Sequence, residues 1–122
     1  TTPTLSVYHN SFLNSCEFVI CLWNKGHTWN FLSQDKMHNF FECPSCLPPE
    51  KITSPNHPTQ KPLALIEHLL SISSNPHDIV FDPFMGVGTT GVAALKNNRR
   101  FIGTDINKNY VKAALKRLSI YS

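Results

Sequence analysis

The second half of the chain carries apolar residues at regular intervals, and the interval changes from one segment to the next. Leu63, Ile66 and Leu70 follow steps of three and four residues, and Pro62 suits the first turn of a helix. We therefore predict an amphipathic helix over residues 62–73.

The segments after this helix alternate between strand and helix patterns. Residues 78–82 form a short apolar run typical of a buried parallel strand, residues 88–97 have helical character, and residues 100–105 predict a second strand. Asn107 is a suitable N-cap for a last helix. The apolar face of that helix comprises Tyr110, Val111, Ala114, Leu115 and Leu118. The order helix, strand, helix, strand, helix predicts an α/β fold with parallel strands.

The first half of the chain has a different composition. Residues 17–23 are rich in β-branched and aromatic side chains, and a turn at residues 24–26 leads into residues 28–31, so a strand pair is predicted. Residues 33–42 are compatible with a loop or a short helix. Four prolines within residues 47–58 exclude helix and central strand there, which predicts an extended connector.

Composition narrows the class of protein. The chain has 122 residues, of which 41% are hydrophobic and 16% charged, with a formal net charge of +3. These values fit one small globular domain that would contact a polyanion only locally. Apolar stretches are far shorter than the roughly 18 to 20 residues that span a bilayer. Since no secretory signal pattern opens the chain, we expect a cytoplasmic protein with reduced thiols.

A glycine-rich loop carries the strongest functional signal. Gly86, Gly88 and Gly91 form a Gly-x-Gly-x-x-Gly pattern between a predicted strand and a predicted helix, and Asp105 follows Gly86 by 19 residues at the end of the next strand. An acid at that position can accept hydrogen bonds from both ribose hydroxyls, which predicts a nucleoside-containing cofactor. The alternative is that the glycines only permit close helix–strand packing and that Asp105 is a solvated turn residue.

The residues around the loop favour one cofactor class. Gly88-Thr89-Thr90 lacks the lysine of a P-loop, so ATP hydrolysis is not expected. Asp82 would repel a pyrophosphate, whereas it would attract the ammonium and sulfonium groups of S-adenosylmethionine, whose cationic part could rest against Phe84. A nicotinamide-dependent oxidoreductase fragment remains the alternative.

These segments resemble the amino-methylating DNA methyltransferases of the β arrangement, which modify adenine N6 or cytosine N4 with S-adenosylmethionine. The resemblance covers about half of the chain. It rests on Asn56-His57-Pro58-Thr59-Gln60-Lys61-Pro62, on Asp82-Pro83-Phe84-Met85-Gly86-Val87-Gly88-Thr89-Thr90 and on Arg100-Phe101-Ile102-Gly103-Thr104-Asp105. It implies an incomplete Rossmann-like methyltransferase fold with a mixed, mostly parallel sheet. Residues 1–55 would hold the DNA-facing β region and connector, and residues 56–122 the cofactor-binding region.

The resemblance also implies roles for particular residues. Four residues would wrap the methionine part of the cofactor: Asp82, Phe84, Gly86 and Gly88. Thr59, Lys61 and Thr89 would meet the methionine carboxylate, for which a lysine charge and a helix N-terminus are suitable.

The other end of the cofactor would be held after the second strand. The resemblance implies that Asp105 binds the ribose and that Ile106 lies against the adenine. Val87 stands where a serine is frequent, which removes a hydroxyl, and Asp105 stands where a glutamate is frequent, which shortens the side chain by one methylene.

A base-binding motif of the Asp-Pro-Pro-Tyr type, expected in this family, is absent, so no catalytic residue is assigned. In the β arrangement it would precede Thr1, and we expect this chain to be the C-terminal half of an enzyme acting on double-stranded DNA in restriction-modification. Adenine N6 is preferred as the target. Alone, the chain would be inactive and would need the missing half or a partner methyltransferase. A non-catalytic remnant that binds DNA or a partner is a further alternative.

Three weaker patterns are left open. Cys43 and Cys46 form a C-x-x-C, which suggests either zinc or reduced loop thiols, and no metal site is assigned. The lysines of the last helix, Lys108, Lys112 and Lys116, could contact phosphates or form a solvated surface. The aromatic and basic residues 23–31 could face DNA or form a hairpin core.

Overall fold

The computed structural model describes residues 16–27 and 29–121. Its helices and strands, in chain order, are α1 (Leu63–Ser73), β1 (Ile79–Asp82), α2 (Thr89–Lys96), β2 (Arg100–Gly103) and α3 (Lys108–Leu118), preceded by a single 3-10 turn at Gln34–Lys36. The predicted sequence of elements in the second half is confirmed, with boundaries shifted by at most two residues. Within the described ranges, every helix is too short or too polar to cross a membrane.

The two strands are parallel neighbours, with Val80 opposite Phe101 and Asp82 opposite Gly103. Val80 and Phe101 pack against the buried cluster of Leu70, Ala93 and Ala94, which joins the sheet to α1 and α2. Helix α2 lies between the strands in sequence, so β1, α2 and β2 form a βαβ unit that brings both carboxyl strand ends to one edge. This is part of a Rossmann-like fold.

The other face of the sheet is bare. Ile79, Phe81 and Ile102 expose 53%, 60% and 52% of their surface, and all three lie on the face turned away from the core. Parallel sheets in α/β proteins are ordinarily covered on both faces. In the described part of the chain, this sheet is covered on only one.

Helix α1 is held at both ends by side chains from distant segments. The Glu50 carboxylate accepts a hydrogen bond from Leu63 N at 2.5 Å and so satisfies a free amide of the first turn. At the other end, the Arg99 guanidinium donates to Ser74 O at 2.7 Å, to Ser74 Oγ at 3.2 Å and to Leu70 O at 3.4 Å. Helix α1 is thereby tied to the connector at one end and to the residue that precedes β2 at the other.

Helix α3 begins as the sequence predicts. The Asn107 side chain accepts a hydrogen bond from Asn109 N at 2.9 Å, so Asn107 is the N-cap. The helix packs on α2 through Ala114, which is fully buried, and a Cβ on Gly88 would lie 2.9 Å from the Ala114 Cβ. The close approach of α3 to the glycine loop therefore depends on the missing side chain at residue 88.

The predicted strand pair of the first half is wrong in the described residues. A turn forms at Lys25 and Gly26, but residues 17–23 and 29–31 are not paired as strands, and Thr28 lies outside the described residues. Phe18, Ile20 and Leu22 are between 84% and 91% exposed. Strand-forming side chains favour an extended backbone, but a strand needs a neighbour to pair with, and the described residues offer none here.

Candidate cofactor site

An open cleft of about 190 Å³ lies at the carboxyl end of β1. It is lined by Ile66 of α1, by five of the residues 82–87, by the start of α2, and by His57, Thr59, Gln60 and Lys61. Clefts that enclose a whole small-molecule ligand are roughly 300–1,000 Å³. This cleft can therefore hold only part of a nucleoside cofactor, and the remainder would extend onto the neighbouring surface.

The segments that follow the two strands are in direct contact. Thr104 N donates to Asp82 O at 3.0 Å, and Met85 N donates to Thr104 O at 2.9 Å. Gly86 N donates to the Asp105 carboxylate at 2.9 Å. The glycine loop and the acid after β2 thus form one continuous edge, as expected for neighbouring parallel strands.

The Asp105 carboxylate is oriented by two backbone amides. One oxygen accepts from Gly86 N and the other from Asn107 N at 2.7 Å. A carboxylate has about four acceptor positions, so capacity for two further donors remains. Ile106 beside it is fully exposed. An acid with free acceptor positions next to an exposed apolar side chain suits a ribose with an attached base.

The glycine loop needs glycine at two positions. Gly86 and Gly88 have φ angles of +53° and +82°, in the left-handed region. A Cβ on Gly86 would also lie 2.5 Å from Nε2 of His57. Behind the loop, Arg117 donates to Val87 O at 2.7 Å, and burial lowers the pKa of its guanidinium from the ordinary value. The loop is therefore fixed from both sides.

The charges that line the cleft are of opposite sign and few. Among the lining residues Asp82 is the one acid and Lys61 the one lysine or arginine. One Asp82 oxygen accepts from Phe84 N at 3.0 Å, and the Phe84 ring is 86% exposed at the rim. Lys61 pairs with Glu17 at 2.6 Å. One anionic and one cationic side chain suit a zwitterionic group, such as the amino and carboxylate ends of methionine.

The structure brings most of the predicted cofactor residues together. Six of them line the cleft: Thr59, Lys61, Asp82, Phe84, Gly86 and Thr89. Asp105 joins them through its hydrogen bond to Gly86, Ile106 follows it, and Gly88 is the residue before α2. Their roles toward a cofactor stay predictions.

The sequence predicted no role in the cofactor site for His57. Its ring lines the cleft and packs against Tyr110 with ring centroids 4.6 Å apart. Its Nδ1 is buried and has no hydrogen-bond partner among the described residues. Such an atom costs free energy unless a partner is supplied, which makes His57 a candidate site residue. Its position over Gly86 arises from a contact between segments that are far apart in sequence.

Gln60 was also missed, and its role is structural. It is buried, its side-chain oxygen accepts from Ile52 N at 2.8 Å, and its amide nitrogen donates to Glu50 O at 3.0 Å. These bonds fix the connector against the segment that carries Thr59 and Lys61. Gln60 thereby positions both side chains at the mouth of the cleft.

The aromatic loop, residues 23–27 and 29–31, contacts a different part of α1 from the part that lines the cleft. The Trp23 and Trp29 rings meet edge to face with centroids 5.5 Å apart, and Asn30 N donates to Ile72 O at 2.8 Å. The loop is therefore tied to the C-terminal end of α1, whereas Ile66 near the other end lines the cleft.

In the described residues no group of three or more possible metal ligands is present.

The chain matches a protein family over most of its length. The family model described as DNA methylase, for N6 and N4 methyltransferases, matches residues 17–116. The chain is 54% identical over 67 residues to the DNA adenine methyltransferase YhdJ of Escherichia coli (strain K12), and this alignment covers 55% of the chain and 23% of YhdJ. It is 53% identical over 62 residues to the type II methyltransferase M2.DpnII of Streptococcus pneumoniae, covering 51% of the chain and 23% of that protein.

A solved structure agrees with these matches. The M1.HpyAVI–SAM complex superposes with a TM-score of 0.50 at 58% identity, covering 51% of this chain and 31% of that one. The chain thus spans about a quarter to a third of the length of the relatives it matches. With the family model covering residues 17–116, the chain belongs to the N6/N4 DNA methylase family.

Proposed function

We propose that this chain is the S-adenosylmethionine-binding part of a DNA methyltransferase that methylates adenine N6 in a specific double-stranded DNA sequence, of restriction-modification type. Family membership and the activities for which the relatives are named support the reaction. The SAM complex of M1.HpyAVI supports the cofactor. The cleft supports the same ligand, because the opposite charges of Asp82 and Lys61 suit a zwitterion and the neighbouring Asp105 suits a ribose.

Each part of the site would have a separate task. The bound cofactor would supply a methyl group on a sulfonium. Lys61 and Thr89 would hold its carboxylate, and Asp82 would hold its ammonium. Asp105 would fix the ribose, so that the sulfonium methyl points in one direction only. A base presented there would be close to an electrophile already in position for attack.

The hydrogen bond between Gly86 N and Asp105 carries this proposal, because it joins the glycine loop to the acid that we assign to the ribose. Isothermal titration calorimetry with S-adenosylhomocysteine and with NAD tests it. We expect binding of the first ligand and none of the second. Asp105→Ala should abolish binding, whereas Asp78→Ala, which removes an exposed acid outside the cleft, should leave it unchanged. Preferential binding of NAD would contradict the proposal.

We also propose that the bare sheet face is covered in the active enzyme by a segment that carries the base-binding motif. Ile79, Phe81 and Ile102 provide an apolar surface for it. The chain alone should transfer no labelled methyl group to DNA, and transfer should appear when such a segment is added. Nucleoside analysis of the product should then show N6-methyladenine. N4-methylcytosine in its place would contradict the proposed target.

A further inference from the structure

The cation at the cleft is already paired with an acid of the same chain. The Lys61 ammonium lies 2.6 Å from the Glu17 carboxylate. The two side chains are 44% and 71% exposed, so the pair lies at the surface. Lys61 lines the cleft and Glu17 does not; Glu17 belongs to residues 16–23, which form no helix or strand.

This ion pair affects ligands that carry a carboxylate. Lys61 is the one lysine or arginine among the residues that line the cleft, and Glu17 neutralises it. A ligand carboxylate arriving at Lys61 would meet a second carboxylate within a few ångströms, and like charges at that distance repel. The two anions therefore compete for one ammonium.

Displacement of Glu17 would be easy. Exposed ion pairs contribute little to stability, since the solvent screens them and two long side chains lose freedom. Glu17 makes no other side-chain hydrogen bond or ion pair among those found in the described residues. A ligand carboxylate that also reaches the N-terminal end of α2 has a partner that Glu17 lacks.

We propose that Glu17 is a specificity-determining residue of the cofactor site. Its carboxylate occupies the position on Lys61 that the amino-acid carboxylate of the cofactor takes on binding. This inference rests on the proposed function and adds an internal competitor to it. Glu17 selectively weakens the binding of ligands that carry the carboxylate and leaves the binding of other adenosine ligands unaffected.

The test compares two ligands and four variants of the full 122-residue chain by calorimetry. S-adenosylhomocysteine carries the amino-acid carboxylate, and 5′-methylthioadenosine keeps the adenosine and the sulfur but lacks it. Glu17→Gln should tighten binding of S-adenosylhomocysteine by up to about fivefold, the range of one exposed ion pair, and leave methylthioadenosine unchanged. Glu42→Gln removes the same charge from an exposed side chain outside the cleft and should change neither affinity.

A double variant isolates the competition. In Glu17→Gln/Lys61→Gln, S-adenosylhomocysteine should bind no more tightly than in Lys61→Gln alone. Unchanged or weaker binding of S-adenosylhomocysteine to Glu17→Gln would overturn the inference, and equal tightening of both ligands would also do so. If wild-type chain and all variants bind neither ligand, the proposed function itself fails. If Lys61→Gln weakens S-adenosylhomocysteine binding while Glu17→Gln has no effect, only the role of Glu17 fails.

Discussion

The contact between Gly86 and His57 predicts how the cofactor loop responds to a single added carbon. Gly86→Ala places a Cβ at φ +53°, where an L-residue is disfavoured by about 1–2 kcal/mol. The same Cβ would lie 2.5 Å from Nε2 of His57, and overpacking of this kind costs about 1–3 kcal/mol. We expect Gly86→Ala to lower the free energy of unfolding by about 2–5 kcal/mol.

A double-variant cycle separates the two causes. In a His57→Ala background the ring is absent, so Gly86→Ala should lower the free energy of unfolding by only the backbone cost of about 1–2 kcal/mol. Urea denaturation followed by far-ultraviolet circular dichroism measures all four proteins. Gly26→Ala is the matched control, because Gly26 also has a positive φ, +91°, but a Cβ there would have no neighbour within 4 Å in the part of the chain that the structure describes.

The proposed contact is contradicted if Gly86→Ala and His57→Ala have additive effects on the free energy of unfolding. If Gly86→Ala costs the same in both backgrounds to within about 0.5 kcal/mol, His57 does not fill the space above the loop. The Gly26→Ala control should be additive with His57→Ala. Coupling there would show that the cycle reports a general destabilisation and not a contact.

Three further predictions concern stability and reactivity. Arg99→Lys should lower the free energy of unfolding by about 2 kcal/mol, because the guanidinium that donates to the end of α1 is lost. Arg100→Lys is the control in the same urea assay. Arg100 is exposed and its side chain donates to one carbonyl, so the free energy should change by less than about 0.5 kcal/mol. Asn107→Ala should cost about 1 kcal/mol through loss of the N-cap, measured as a lower melting temperature, and Asn107→Asp should restore it. Burial, and secondly the charge of Glu50, raises the pKa of the Cys46 thiol, so at pH 8 a smaller fraction of it is thiolate than in an ordinary cysteine. Cys46 should therefore react with a disulfide reagent more slowly than the exposed Cys16. Equal reaction rates would contradict this prediction.

The second half of the fold could be predicted from the sequence because its signals are local. The three- and four-residue spacing of Leu63, Ile66 and Leu70 is enough to define α1, and Asn107 marks the start of α3 by itself. The pairing of β1 with β2 follows from the short βαβ connection. In each case the residues that form the element also carry the pattern.

The first half was predicted less well because strand formation is not local. Residues 17–23 have strand-forming side chains, but the described residues provide no neighbour to pair with them. Sequence analysis identified the glycine loop and Asp105 as cofactor candidates, yet it did not predict that one donates a hydrogen bond to the other. His57 and Gln60 were missed because their partners, Gly86 and Glu50, give no signal of contact along the chain.

Val87 and Asp105 both differ from the residue that is most frequent in the family at that position. The hydrogen bond between Gly86 and Asp105 brings these two positions close together. Val87 follows the bonded glycine, and Asp105 is the acid that bonds it. With a glutamate at position 105, the carboxylate would lie one methylene farther along, and the loop that carries Val87 would have to shift to keep the bond. The length of the acid at position 105 and the position of the loop are therefore linked through this bond.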